Sequence, residues 1–179
     1  MTNSFKILFL VGMPGVGKSY YGKLAAAELE MEFYDLDDEI VRLQKMSIAD
    51  IFRSKGEFEF RKIELETLSA IISKCNDDTI IATGGGTPCF NNAMSWMNKL
   101  GITVWLDTKI EDLFANLMTD TASRPLFGDA KGDEMKRKLY EMYTLRSEFY
   151  SQSRVKVSVY RGLSPDLFTK RLQLSTFAK

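Results

Sequence analysis

Short apolar runs alternate along the chain with longer stretches of helical periodicity. Phe5 to Val11 is a nearly continuous apolar run ended by glycine, the pattern of a strand buried on both faces of a parallel sheet. Lys18 to Glu30 is rich in Ala, Leu and Glu, with Leu24, Ala25 and Leu29 on one side, and reads as a helix. A short strand is expected at 32–35. From Asp38 to Lys74 the pattern is helical, interrupted near Met46-Ser47 and at Gly56. Thr79 to Thr83 is a second buried strand, stopped by Gly84-Gly85-Gly86. A helix over 91–100 ends with Gly101 at its C-cap. Beyond it come a strand at 102–106, helices at 110–117 and 133–150, and an alternating strand at 155–159. The last helix, 165–174, has Ser164 as N-cap and Pro165 in its first turn. Thr119 to Gly132 lacks periodicity and holds Pro125, Gly128 and Gly132. It is long for a plain connection and is expected to form a lid.

Strands alternating with helices predict a three-layer α/β/α domain around a five-stranded parallel sheet. At 179 residues the chain, 1–179, fits one such domain. Composition narrows the chemistry. Lys plus Arg equals Asp plus Glu, 24 against 24, so no general nucleic-acid binder is indicated. Histidine is absent, which removes Ser-His-Asp and Cys-His sites and HExxH zinc centres. Two cysteines, Cys75 and Cys89, make neither a disulfide framework nor a zinc site. The apolar stretch from Ile7 to Gly17 is too short to span a bilayer. Lys18 and Lys23 interrupt any signal-peptide reading. A cytoplasmic monomer that binds no membrane is expected.

Gly12-Met13-Pro14-Gly15-Val16-Gly17-Lys18-Ser19 matches G-x-x-x-x-G-K-[ST] in full, between a strand and a helix. Glycines there let successive backbone N–H groups curl around phosphate oxygens, at the positive end of the helix that follows. Lys18 can reach the β- and γ-phosphates, and the Ser19 hydroxyl can ligate Mg²⁺. A nucleoside triphosphate is the implied ligand. No hydrophobic strand ending in an acidic residue follows in the usual place, so the partner acid is sought in Phe33-Tyr34-Asp35-Leu36-Asp37. Two aspartates at i and i+2 on a strand end project to one side. One could hold a hydrated metal while the other takes a substrate hydroxyl. The alternative is that Asp37 or Asp38 caps the following helix.

Beside these stands Ile51-Phe52-Arg53-Ser54-Lys55-Gly56-Glu57-Phe58-Glu59-Phe60-Arg61-Lys62-Ile63-Glu64, which resembles the I-F-x-x-x-G-E-x-x-F-R-x-x-E block of shikimate kinases. Thr83 to Gly86 resembles that family's glycine triplet, Arg124-Pro125-Leu126 its lid motif, and Arg146-x-x-x-Tyr150 its late arginine. The resemblance implies a nucleoside-monophosphate-kinase-like P-loop NTPase fold, with an acceptor-binding helical region near 38–74 and a lid near 119–132. It implies transfer of the ATP γ-phosphoryl group to the 3-hydroxyl of shikimate, with Mg²⁺ as cofactor, in aromatic amino acid biosynthesis.

The same resemblance assigns roles. Gly12, Gly15, Val16, Gly17, Lys18, Ser19, Tyr20 and Arg124 hold ATP, and Ser19 with Asp35 holds the metal. Asp37, Arg61, Gly84, Gly85, Gly86 and Arg146 hold shikimate. Lys18, Asp37 and Arg124 carry catalysis. A carboxylate acceptor suits bidentate guanidinium partners, and Arg124, extended because Pro125 follows it, suits a transferred phosphoryl group. Taken singly, Arg61 could equally be a surface ion pair with Glu57, Arg146 a solvated helix residue, and the triplet a flexible turn. The chain departs from the family at Tyr20, where threonine is usual. It departs again at Leu117 and Asn116, where a basic residue on the ATP side is common. Rival readings are another small-molecule kinase, such as one for gluconate, and a nucleotide-binding module without catalysis. A GTPase would need an N-K-x-D motif that is missing.

Overall fold

The computed structural model describes residues 6–119 and 132–177. The expected lid, with Arg124, lies outside the described residues except at its two ends, as does Phe5. The elements run β1 (Ile7–Val11), α1 (Lys18–Glu28), β2 (Glu32–Asp35), α2 (Leu36–Gln44), α3 (Ile48–Ile72) and β3 (Thr79–Ala82). A 3-10 turn (Thr87–Cys89), α4 (Ala93–Leu100), β4 (Ile102–Asp107), α5 (Ile110–Thr119), α6 (Gly132–Tyr150), β5 (Val155–Ser158) and α7 (Pro165–Thr176) complete the order.

All pairings are parallel, in the order β2-β3-β1-β4-β5. Every residue of β1 and β3 is buried. That explains their continuous apolar sequences, since a central parallel strand meets helices on both faces. Register decides where the chemistry can stand. Leu10 pairs with Ala82, and Ala82 with Asp35. The carboxyl ends of β1, β2 and β3 therefore finish in one row. The three segments that follow them emerge side by side, at the edge where open α/β sheets bind ligands.

Sequence expectations met local corrections. The helical stretch does break, first between α2 and α3 and then at Gly56, whose φ of 78° and ψ of 172° interrupt α3. That backbone region is costly for any residue with a Cβ. The helix expected from Asn91 starts instead at Ala93, because Asn91 and Asn92 take left-handed φ values of 51° and 56°, which asparagine tolerates. Gly101 does end α4, in an extended rather than left-handed conformation. Its role is close approach, since a Cβ there would collide with the Ile7 carbonyl oxygen. Ser164 caps α7 by accepting from Leu167 N at 3.3 Å, with Pro165 in the first turn.

Candidate active site

The phosphate loop joins β1 to α1. Gly15 and Gly17 hold φ values of 80° and 94°, conformations that glycine adopts without strain. Lys18 is 8% exposed, and its ammonium donates to the carbonyls of Gly12 and Met13 at 2.9 Å each. Burial pulls its pKa down to about 8, while Asp37 and Asp35 counter that and Arg146 adds to it. The lysine is thus held in the loop with its charge only partly compensated, suited to a polyanion.

The two aspartates come together by a different route from strand alternation. β2 ends at Asp35, which is the N-cap of α2, its Oδ1 accepting from Asp37 N at 3.0 Å and Asp38 N at 3.3 Å. The cap is therefore Asp35, and Asp37 stands in the first turn of the helix. Asp37 remains accessible to water along the cleft, although protein surrounds it on most sides. That partial desolvation, reinforced by Asp35 and Glu64 and opposed by Lys18, raises its carboxyl to about 6. It is poised close to neutrality, as a general base should be.

Arg61 is no simple surface pair. Its Nη2 meets Glu57 at 3.1 Å and its Nη1 meets Glu64 at 2.9 Å, with the arginine side chain 11% exposed. Its guanidinium lies 4.1 Å from the centre of the Phe90 ring, a cation–π contact. Nε is buried without a partner among the described residues. Arg146, on α6, differs in having no carboxylate within 4 Å among the described residues. Among the described residues, two carboxylates hold the Arg61 guanidinium and none holds that of Arg146.

The glycine triplet is not a flexible turn. A Cβ on Gly85 would stand 2.7 Å from Pro14 Cδ, and one on Gly84 would stand 3.0 Å from both Glu64 Oε1 and Thr87 Oγ1. The bare backbone lets the protein's own side chains close in, while the triplet still faces the cleft. Glu64 is the residue that sequence reasoning overlooked. It is buried and accepts from Arg61 and, at 2.6 Å, from the Thr87 hydroxyl. The motif containing it was legible, but its partner Thr87 lies 23 residues away. Leu117 explains one departure: it is 1% exposed, and a Cβ on Gly15 would stand 2.7 Å from its Cγ. That position supports the loop from beneath. Its neighbour Asn116 faces the cleft and donates to the Gly15 carbonyl at 3.0 Å.

Lys18, Asp37, Arg61 and Arg146 line one cavity of about 890 Å³, together with Ser19, Tyr20, Asp35, Asn116 and Gly84 to Gly86. The cavity joins a phosphate loop to a carboxylate and two guanidinium groups, and the shikimate kinase family model matches residues 14–175 of the chain. The chain belongs to the shikimate kinase family. It is accordingly an ATP-dependent kinase, which favours the main reading over a gluconate kinase or an inactive module. Among curated shikimate kinases, that of Azobacteroides pseudotrichonymphae is 40% identical over 148 residues, 83% of this chain and 86% of the relative. The crystal structure of the Bacteroides thetaiotaomicron shikimate kinase superposes with a TM-score of 0.88 at 30% identity, covering 94% of this chain and 96% of that one. An Acinetobacter baumannii shikimate kinase, solved in complex with shikimate, gives a TM-score of 0.82 at 29% identity, covering 96% and 93%. As in the family resemblance, the fold is that of P-loop kinases related to nucleoside monophosphate kinases. No helix among the described residues is long and apolar enough to cross a membrane.

Proposed function

We propose that this cleft binds MgATP and shikimate side by side and makes 3-phosphoshikimate and ADP. The observation that carries the reading is the convergence of Lys18, Asp37, Arg61 and Arg146 on one cavity, beside a loop built for polyphosphate. The amides of Gly15 to Tyr20 hold the phosphates, with Gly12 shaping the turn, and Lys18 offsets the charge on the γ-phosphoryl group. Arg146 takes the shikimate carboxylate, and Arg61, clamped by Glu57 and Glu64, fixes the acceptor's orientation against Gly84 to Gly86. The helical region 38–74 is the acceptor-binding part of one domain.

Asp37 receives the proton of the acceptor hydroxyl as the new O–P bond forms and the bond between the γ-phosphorus and the bridging oxygen breaks, releasing ADP. Transfer of this kind is governed by alignment and electrostatics. The donors fit magnesium: Ser19 and Asp35 face the same cavity, and Asp35 uses one oxygen as the helix cap. Mg²⁺ takes few protein oxygens and leaves the rest to phosphate and water. When bound it neutralises charge on the β- and γ-phosphates. Arg124 lies outside the described residues, and the role proposed for it is to offset charge on the transferred phosphoryl group. The reading places the enzyme in the cytoplasm as a monomer.

A coupled ADP-release assay over a panel of acceptors tests the proposal. Turnover should depend on shikimate and on Mg²⁺. Turnover with gluconate or another polyol, and none with shikimate, would overturn it, as would ATP binding with no phosphorylated product.

A further inference from the structure

Tyr150, the last residue of α6, is fully buried, and its hydroxyl donates to the Gly85 carbonyl at 2.6 Å across 65 residues of sequence. The same oxygen lies 3.9 Å from Met13 Sδ in the phosphate loop. Its ring stands 6.0 Å, centre to centre, from Trp105. Burial raises the phenol well above its ordinary value, so it stays protonated and remains a donor. The other two carbonyls of the triplet are held locally: Thr87 N donates to Gly84 O at 3.2 Å, and Cys89 N to Gly86 O at 2.9 Å. The partner of Gly85 comes from another layer of the fold. Gly85 in turn rests on Pro14 of the phosphate loop. Arg146 sits one turn earlier on the same helix as Tyr150.

We propose that Tyr150 is a positioning residue, which fixes the glycine triplet and Arg146 in register against Met13 and Pro14 of the phosphate loop. The inference rests on the proposed reading of the triplet and Arg146 as the acceptor site. A buried tyrosine needs a partner for its hydroxyl, and any acceptor would satisfy that need. Here the acceptor is the middle carbonyl of a loop that rests on Pro14 at Gly85 and on Arg61 at Gly86. An error of about 1 Å in such an alignment can cost on the order of 10²-fold in rate.

The test is Tyr150→Phe, which keeps the ring and removes only the hydroxyl, beside Trp105→Phe, which disturbs the packing around that ring and leaves the hydroxyl. For Tyr150→Phe the shikimate KM should rise roughly 10-fold and kcat fall roughly 10-fold, with the ATP KM within about 2-fold of wild type. Trp105→Phe should lower Tm and leave both KM values unchanged. Amide exchange supplies a readout without catalysis. In Tyr150→Phe the Thr87 and Cys89 amides should exchange faster, while those of β1 and β3 keep wild-type rates. Wild-type kinetics in Tyr150→Phe, the same kinetic pattern in both variants, or unchanged exchange at Thr87 and Cys89 would overturn the inference. Wild-type protein that bound no shikimate would instead overturn the reading of the site.

Discussion

The guanidinium of Arg61 lies directly against the backbone of Gly86, so closely that a Cβ on the glycine would stand 2.6 Å from Nη2 and 2.9 Å from Nη1. Arg61 has no slack with which to avoid such an atom, being held by Glu57, Glu64 and the face of Phe90. The pair joins the long helix α3 to the loop after β3, on the side of the cleft proposed above for the acceptor.

Gly86→Ala should therefore act as an Arg61 variant. The shikimate KM should rise roughly 10-fold, equivalent to about 1.4 kcal/mol of lost binding, with the ATP KM close to wild type. Steady-state kinetics with each substrate varied in turn checks this. Equal effects on both substrates would show that the phosphate loop, too, leans on Arg61.

The pH profile of kcat/KM should be bell-shaped. Asp37 must be ionised to take a proton, so activity falls below about 6. Lys18 must be charged, so activity falls above about 8. Glu64→Gln removes a negative neighbour of Asp37, and the acid limb should move to lower pH. An acid limb that stayed in place would show that Asp37 is not the group being titrated.

Asp37→Asn should lower kcat on the order of 10²–10⁴-fold yet raise Tm at pH 7. The sign follows from linkage. The folded-state pKa of about 6 lies above the ordinary 3.8, so the native state binds more protons than the unfolded chain between those values. Native stability accordingly declines as pH rises through that window, and at pH 7 the ionised carboxylate is a net cost that asparagine avoids. Thermal melts at pH 4 and pH 7 check it: the gain should be present at pH 7 and largely gone at pH 4.

Leu117→Arg and Asn116→Arg should behave oppositely, although the residues are adjacent. The first places a cation beneath Gly15 in the core, at a cost on the order of several kcal/mol. The second places it on the cleft wall and should tighten ATP binding. Melting curves and nucleotide titration separate the two.

The elements themselves were legible because their signals are local. The strand, glycine loop and helix around Gly12 to Ser19 are contiguous, and sterics between near neighbours dictate them, so the phosphate loop could be read directly. Gly56 and Met46-Ser47 marked their breaks for the same reason. Asp35 was harder, since a strand end and a helix cap both favour aspartate. Only the chain's actual turn at Leu36 showed that Asp35 caps the helix while Asp37 faces the cleft.

What the sequence alone determined was the parallel α/β architecture, the polyphosphate loop and the family motifs. Each depends on residue types at short, fixed separations. Tertiary structure decided that Arg61 is clamped between two carboxylates while Arg146 meets none among the described residues, that the glycine triplet receives Pro14 and Glu64, and that Leu117 faces inward. It also joined Tyr150 to Gly85. Those relations are set by the order and register of the strands, which bring distant segments to one edge of the sheet, and no local pattern of residues carries that information.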